Sequence, residues 1–232
     1  MAQKYEHEFI FIKIRTPMPP SYSYPQSLAA EAIHLPKGQR TAQAIRIAAC
    51  HLLDQSAPQD LTIAAICREA GVANGTFYLY FPDQAQLLDD LLQGFASFLQ
   101  TRMIDAGHRR RDVPMRAATQ AYVHLFEANR GLMKCLIHHL DAFPAARAAF
   151  HRLNGDWIAT VVRATRRRHA RDGRDTLPEA ELTRRAYALG GMTDAYLSSL
   201  HLSAEPGLVA VSSDRAAVVA TLTTLWERGL QP

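Results

Sequence analysis

LTIAAICREAGVANGTFYLYF, residues 61–81, is the stretch of sequence that decides the fold of this chain. Thr62 stands near its start, where a hydroxyl can accept a hydrogen bond from the free amides of a helix N-terminus. Apolar residues then follow at three- and four-residue spacing, which places them on one face of a helix: Ile63, Ile66 and Ala70. Gly71 can adopt the left-handed backbone that ends such a helix. The first part of the stretch therefore predicts a short helix followed by a tight turn.

A second short helix is expected directly after that turn. It begins near Asn74, and Phe77 and Phe81 lie four residues apart on one side of it. Because aromatic side chains at this spacing share a face, we expect both phenylalanines to be buried. Two short helices joined by a tight glycine turn form the helix-turn-helix of DNA-binding proteins. The stretch therefore predicts a DNA-binding element.

Composition permits this interpretation without requiring it. The chain has 232 residues, of which 48% are hydrophobic, which suits one or two domains with a sizeable core. The net charge is +4 and the pI is about 9.1. Within residues 37–84, however, the bases and acids are balanced: Lys37, Arg40, Arg46 and Arg68 against Asp54, Asp60, Glu69 and Asp83. Affinity for phosphate would depend on where those bases point, and on amides and hydroxyls.

The cysteines and the hydropathy pattern indicate a cytoplasmic protein without a membrane segment. Cys50, Cys67 and Cys135 are far apart and form no Cys-x-x-Cys pair, which favours buried thiols over disulfides or zinc ligands. No apolar run approaches the ~20 residues of a membrane span. The N-terminus lacks the long apolar core of a signal peptide.

Residues 1–36 differ in composition from the rest of the chain. FIFIKI at Phe9–Ile14 has the pattern of a short strand, and the residues behind it are rich in proline, serine and tyrosine, including Pro25. This is linker composition. We expect a disordered or loosely attached tail; the alternative is an arm that touches DNA or a partner subunit.

Residues 39–54 predict a helix that precedes the helix-turn-helix. Their apolar residues recur at three- and four-residue steps: Ile45, Ala48, Ala49, Leu52 and Leu53. This helix would brace the two that follow. Residues 37–84 are therefore expected to form a three-helix bundle.

Around Gly71–Phe81 the sequence resembles the signature of the TetR family of transcriptional regulators. The residues that carry the resemblance agree in order and spacing: Arg40, Ala48-Ala49, Thr62, Ile66-Cys67, Ala70-Gly71-Val72, Gly75-Thr76-Phe77-Tyr78, Tyr80-Phe81 and Leu87-Leu88. The resemblance implies an all-α protein, with a DNA-binding head over residues 37–84 and a helical ligand-binding and dimerising body over residues 85–232. It also implies repression that is relieved by a small molecule.

The resemblance assigns DNA contacts to individual residues. It places Thr62 on phosphate, with Arg40 as a further phosphate contact. The base-contacting surface would consist of Asn74, Gly75, Thr76, Tyr78 and Tyr80. An Asn amide can pair with adenine, a Thr can offer its hydroxyl or methyl group to a base edge, and a Tyr hydroxyl can donate to phosphate.

Two positions depart from the family pattern. Ala73 stands where the family often has a capping Ser or Thr, so Asn74 would either cap the helix or contact a base. Gln84 replaces a lysine that the family associates with phosphate binding. We expect both changes to weaken DNA binding.

The remainder of the chain predicts further helices. Their approximate bounds are 83–106, 114–129, 132–140, 144–171, 180–202 and 214–228. Asp83 is expected to cap the first of them and Gly107 to end it. The last two resemble the pair through which the family forms a homodimer. Small residues at Gly190-Gly191, Ala195 and Ser198-Ser199 would allow close approach, and Val218, Leu222, Leu225 and Trp226 would supply an apolar stripe. The alternative is ordinary core within one chain; a dimer would match a palindromic operator.

The resemblance also implies an effector cavity inside the body. The candidates to line it are Phe95, Phe98, Met103, Tyr122, Phe126, Met133, His138, Trp157, Tyr187 and Met192. Polar groups that could orient a ligand include Asp194. A mostly apolar lining with a few polar groups is typical of small-molecule sites, so we expect an apolar or aromatic effector. We expect no cofactor.

Two other classes of function were weighed. His138-His139, Asp141 and His151 could suggest a metal site, but adjacent residues point about 100° apart on a helix and do not share a face. No His-Glu-x-x-His, Gly-x-Ser-x-Gly, P-loop or dinucleotide-binding pattern occurs. We therefore expect neither a catalytic nor a metal site. The remaining alternative is a helical ligand- or protein-binding scaffold with weakened DNA binding.

Overall fold

The computed structural model describes residues 21–232. All regular secondary structure within this range is helical, which confirms the predicted all-α class. The α-helices are α1 (Tyr24–Ala32), α2 (Lys37–Leu53), α3 (Ile63–Ala70), α4 (Asn74–Phe77), α5 (Gln84–Arg109), α6 (Pro114–Ala128), α7 (Arg130–His138), α8 (Pro144–Arg171), α9 (Glu179–His201), α10 (Pro206–Val211) and α11 (Arg215–Gly229). Short 3₁₀ turns occur at Pro58–Asp60 and Leu140–Ala142. The strand predicted at residues 9–14 lies outside the described residues.

Helices α2, α3 and α4 form the head as the sequence predicts. The Thr62 hydroxyl oxygen accepts from the Ala65 amide at 3.1 Å and caps α3. Gly71 ends α3 with φ of 68°, the left-handed conformation that glycine adopts without steric cost. Phe77 and Phe81 are buried, with ring centroids 5.7 Å apart. The expectation that these phenylalanines belong to the core is confirmed.

Helix α1 corrects the prediction of a loose tail. Residues 24–32 are helical, and Tyr24 is buried with its ring centroid 5.5 Å from Phe95 and 5.1 Å from Phe98 on α5. The Tyr24 amide donates to Asn129 Oδ1 at 2.7 Å. The tail interpretation depended on prolines, but Pro25 lies in the first helical turn, where proline needs no amide partner. Residues 1–20 of the predicted tail lie outside the described residues.

Helix α5 runs from the head into the body. Asp83 caps it, as the sequence predicts, and accepts from the Gln86 amide at 2.8 Å. Helices α6 and α8 pack along it, and the Asp89 carboxylate accepts from the Ala146 amide at 2.6 Å in the first turn of α8. Gly107 does not end α5, which continues to Arg109 because its helical hydrogen bonding continues past the glycine.

The head and body meet where the end of α2 contacts the start of α7. The Gly131 amide donates to Asp54 Oδ1 at 2.9 Å. A Cβ atom at Gly131 would lie 2.4 Å from the Leu53 carbonyl carbon and oxygen, so only glycine fits this contact without a shift. The sequence analysis placed Gly131 between two predicted helices. In the structure it is the second residue of α7, where the helix contacts the end of α2.

Among residues 21–232, no helix combines the length and the apolarity needed to cross a bilayer.

Candidate DNA-binding surface and internal cavity

Helix α4 presents its polar side outward. Asn74 and Gly75 are exposed, and Thr76 is partly exposed. Tyr78 directly follows the helix and has 58% of its surface exposed. The buried Phe77 anchors the opposite side, with its ring edge-on to Tyr78 at 5.5 Å between centroids. Four of the predicted base-contacting residues therefore share one accessible surface.

Thr62 lies at the exposed start of α3, on the same part of the head. Its oxygen accepts the capping hydrogen bond, so the hydroxyl hydrogen remains available for a phosphate oxygen. Asp60 is also exposed just before it and would oppose a phosphate there. A phosphate bound at Thr62 would consequently receive a neutral hydrogen bond at a helix N-terminus.

Arg40 is exposed on α2 and forms no ion pair with any other part of the chain that the structure describes. Its guanidinium is therefore free to reach a phosphate. Tyr80 differs from the other predicted contacts because it is partly buried, with its hydroxyl beside Gly38 at the start of α2. Its ring packs against the head, and only its hydroxyl end lies near the surface formed by α2.

The two departures from the family pattern have clear local consequences. Ala73 occupies the N-cap position of α4 without a side-chain hydrogen bond, while Asn74 is the first helical residue. The Asn74 amide is therefore not the cap and stays free to contact a base. Gln84 donates from Nε2 to the Pro58 carbonyl at 3.1 Å, which holds the turn that leads into α3. At this position the chain has a structural hydrogen bond in place of a positive charge.

Several acids of the head are engaged away from this surface. Asp54 binds the Gly131 amide, Asp83 caps α5, and Glu69 lies 3.3 Å from His51. On the basic side, Arg46 stacks over the Phe81 ring at 5.1 Å. These three acids therefore have partners within the protein, whereas Arg40 has no ion-pair partner among the described residues.

Leu79 is a residue that sequence analysis missed. It lies between the two tyrosines and has 77% of its surface exposed. An apolar side chain in this position suits contact with a thymine methyl group. Its position between Tyr78 and Tyr80, two predicted DNA contacts, could have identified Leu79 as a further contact residue.

Among its described residues, the body contains a cavity of about 100 Å³ that is partly open to solvent. Helices α5, α6, α8, α9 and α11 contribute to its wall. The lining residues are Ala96, Leu99, Gln100, Met103, Met115, Thr119, Tyr122, Phe150, Leu153, Asn154, Trp157, Ile158, Gly190, Thr193, Asp194 and Trp226. This wall is largely apolar and aromatic, as small-molecule sites are.

The cavity brings together three of the predicted ligand residues, Met103, Tyr122 and Trp157. Seven others lie elsewhere, because they are used for packing or surface: Phe95, Phe98, Phe126, Met133, His138, Tyr187 and Met192. Phe95, Phe126 and Met133 are fully buried in the core. Phe98 packs against Tyr24 and carries the Arg102 guanidinium 4.8 Å above its ring.

The other three have individual explanations. His138 pairs with the Ser198 hydroxyl at 3.0 Å. Tyr187 has 48% of its surface exposed on the outside of α9. Met192 packs against the main core. Ala96, Leu99 and Met103 recur at helical spacing on α5. This spacing could have identified the face of α5 that lines the cavity.

Asp194 is the acidic group of the cavity wall. Its Oδ1 accepts from the Tyr122 hydroxyl at 2.5 Å, which joins α9 to α6. Burial raises the pKa of Asp194 to about 6, and the hydrogen bond from Tyr122 opposes that rise. Burial next to this carboxyl also raises the pKa of Tyr122 well above its usual value. Tyr122 is therefore a hydrogen-bond donor at neutral pH.

The last helices differ from the predicted dimer surface in one respect. Val218, Leu222 and Trp226 are buried in the core of the same chain. Trp226 Nε1 also donates to the buried Thr193 hydroxyl on α9 at 3.0 Å. Leu225 remains 41% exposed. The accessible small and apolar surface consists of Tyr187, Ala188, Gly191 and Ala195 on α9 with Leu225 on α11.

Within residues 21–232, no cluster of three or more His, Cys, Asp and Glu residues is placed to hold a metal ion. The thiols of Cys50, Cys67 and Cys135 are buried and unpaired with one another. Burial raises the pKa of Cys135 to about 12, so this thiol is protonated at neutral pH.

Comparison with known proteins agrees with this arrangement. The family described as "Bacterial regulatory proteins, tetR family" matches residues 45–91. The chain is 24% identical over 209 residues to the HTH-type transcriptional regulator EthR of Mycolicibacterium smegmatis, covering 85% of this chain and 93% of that protein. It is 28% identical over 220 residues to EthR of Mycobacterium tuberculosis, covering 85% and 94% respectively. Both relatives are described as HTH-type transcriptional regulators.

Solved structures show the same fold. The fatty acid degradation regulator FadR from Bacillus halodurans superimposes with a TM-score of 0.63 at 16% identity, over 80% of this chain and 94% of that one. FadR from Bacillus subtilis, solved in complex with stearoyl-CoA, superimposes with a TM-score of 0.63 at 14% identity, over 81% and 98%. These proteins thus share the helical fold of this chain. Residues 45–91 thus match the TetR family of bacterial regulatory proteins, and most of the chain is similar to proteins described as HTH-type transcriptional regulators.

Proposed function

We propose that this protein is a cytoplasmic, sequence-specific DNA-binding transcriptional repressor. It binds a palindromic operator as a homodimer, and a small apolar or aromatic ligand in the body cavity lowers its affinity for that operator. The observation that carries the proposal is the exposed surface of Asn74, Gly75, Thr76 and Tyr78 on α4, held outward by the buried Phe77.

The chemistry of this surface fits the major groove of DNA. The Asn74 amide is free of capping and matches the donor and acceptor pattern of adenine. The Thr76 and Tyr78 side chains add hydroxyl donors, and Thr62 and Arg40 flank them as phosphate contacts. Because α4 is only one turn long, a single head contacts few bases, and paired heads on a two-fold operator would supply the rest.

A ligand in the cavity could act on the head through α5. This helix starts at Gln84, whose side chain holds the turn before α3, and it lines the cavity with Ala96, Leu99 and Met103. A ligand that changes the tilt of α5 would change the separation of the two heads in a dimer. The FadR structure with stearoyl-CoA supports a ligand role for the body of this fold. The exposed surface on α9 and α11 is the proposed dimer contact.

The test is selection of bound duplexes from a random pool by the purified protein. The proposal predicts enrichment of a palindrome by the wild type and loss of that enrichment in Tyr78→Ala with Thr76→Ala. The matched control is Val211→Ala, an exposed residue on α10, which should leave the enrichment unchanged. Absence of enrichment even at low salt would contradict the proposal and favour the helical scaffold.

A further inference from the structure

Asp194 is an acidic residue in the largely apolar wall of the cavity, and no basic side chain among the described residues of that wall balances its charge. Among residues 21–232, the cavity wall includes no lysine, arginine or histidine, and Asp194 forms no ion pair. Its single hydrogen bond is with the neutral Tyr122 hydroxyl. A carboxylate accepts up to about four hydrogen bonds, so most of its capacity is unused.

The carboxylate is ionised under ordinary conditions. Since the pKa of Asp194 is raised only to about 6, the group carries its charge at pH 7.5. Holding an ionised carboxylate against an apolar wall without a counter-charge costs free energy, which a bound cation would recover. The cavity therefore favours cations over neutral molecules of the same shape.

Two other polar groups of the wall, Gln100 and Thr193, have partners inside the protein. Gln100 Nε2 donates to the Leu153 carbonyl at 3.1 Å. The Thr193 hydroxyl donates to the Leu189 carbonyl at 2.8 Å and accepts from Trp226 Nε1. Thr119 and Asn154 are neutral, so Asp194 is the one acceptor among the described residues of this wall that carries a charge. The rings of Trp157 and Tyr122 in the same wall can also attract a cation through their π faces.

We propose that the cavity selects ligands with an aromatic or apolar body and a protonated amine, and that this ammonium group pairs with the Asp194 carboxylate. The inference rests on the proposed ligand role of the cavity and gives its chemical class. A carboxylate ligand of the same shape would meet the Asp194 charge and be repelled.

The experiment compares three probes that share one body and differ in the head group: 4-phenylbutylamine, 4-phenylbutanol and 4-phenylbutyrate. Their binding to the full-length protein is measured by titration calorimetry at pH 7.5. The amine is expected to bind at least ~10-fold more tightly than the alcohol, as a hydrogen bond to a charged group implies, and the butyrate most weakly. In Asp194→Asn the amine should lose this preference.

Two variants act as controls. Tyr122→Phe removes the hydrogen bond but keeps the carboxylate, so the amine preference should persist. Asp141→Asn removes an exposed acid that pairs with Arg147 outside the cavity, and the preference should be unchanged. Circular dichroism establishes that each variant is folded.

The proposal is overturned if the three probes bind equally, if none binds, if the butyrate binds best, or if Asp194→Asn keeps the amine preference. Because these titrations contain no DNA, they are independent of the duplex selection. If the protein selects a palindrome but does not prefer the amine, the proposed regulatory function stands and the proposed ligand class is wrong.

Discussion

Gly131 is the residue on which the contact between head and body depends. Its missing side chain lets α7 approach the backbone at the end of α2, and its amide binds Asp54. Backbone atoms cannot rotate away as a side chain can, so this contact tolerates little added volume. The sequence placed a glycine here without revealing the neighbour, because Leu53 is far away along the chain.

We expect Gly131→Ala to lower the free energy of unfolding by about 1–3 kcal/mol, since the added methyl group would overlap the Leu53 and Asp54 backbone. Gly107→Ala is the control, because its nearest neighbour outside its own helix would be the Pro114 carbonyl at an ordinary 3.5 Å. That change should stay within about 1 kcal/mol. Urea unfolding measures both, and equal effects would show that the α2–α7 contact is not tight.

Asp194 predicts a pH dependence of stability. Its pKa is raised from 3.8 to about 6, so between these values the folded protein holds a proton that the unfolded chain releases. The contribution of Asp194 to wild-type stability should therefore fall as pH rises from about 4 to about 6. Asp194→Asn does not titrate there, so its stability relative to wild type should rise across this window, by an upper estimate of about 3 kcal/mol. Thermal unfolding at pH 4 and 7 measures the difference, which a pH-independent offset would contradict.

Single-residue roles that depend on the nearest few residues were predictable. Thr62, Gly71 and Asp83 act through hydrogen bonds or backbone geometry within their own helix ends, and each is found as expected. Asp194 was named only as a group that could orient a ligand. Its importance depends on Tyr122, 72 positions earlier, which meets it only after α6 and α9 pack together.

At the level of elements, α1 is the main addition to the predicted fold. Its composition resembled a linker, but Asn129 binds both the Tyr24 amide and the Tyr22 carbonyl, and this long-range contact has no local sequence signal. Helix α10 likewise lies between two predicted helices, where no helix was predicted, and Glu205 caps it. The inward stripe on α11 shows that helical spacing identifies a buried face but not which molecule covers it.

We expect Asn129→Ala to release α1, because the buried Tyr24 amide would lose its acceptor at a cost of about 1–3 kcal/mol. Hydrogen exchange over residues 21–35 should accelerate more than exchange in α8. Gln86→Ala, which removes an exposed amide that bonds to Asp90, serves as the control. If exchange in α1 is unchanged, the helix is held by its apolar contacts instead.

Substitutions at Gln84 test whether this position can contact a DNA phosphate. Gln84→Lys exchanges the hydrogen bond to Pro58 for a positive charge, and we expect tighter non-specific DNA binding with a log–log salt slope steeper by about 1. Gln84→Ala removes the bond without adding charge and should not steepen the slope. Salt titration of binding to a random duplex measures both. A lysine variant with the wild-type slope would show that this position does not reach phosphate.

For the whole molecule, α5 joins the two sites. It begins at the head, carries the ring contacts that hold α1, and forms one wall of the cavity. The head could be predicted in detail because its pattern is local and specific. Only three of the ten predicted ligand residues line the cavity, since aromatic residues at helical spacing serve equally well as core.

The most direct measurement is the affinity of the full-length protein for its selected duplex and for a shuffled duplex of the same composition, in wild type and Tyr78→Ala. The account predicts that the wild type prefers the selected duplex at least ~1000-fold. It also predicts that Tyr78→Ala weakens that binding by roughly 10-fold or more without loss of stability, because Tyr78 is exposed. Equal affinity for both duplexes, or a Tyr78→Ala variant indistinguishable from wild type, would contradict the assignment of α4 as the DNA-contacting helix.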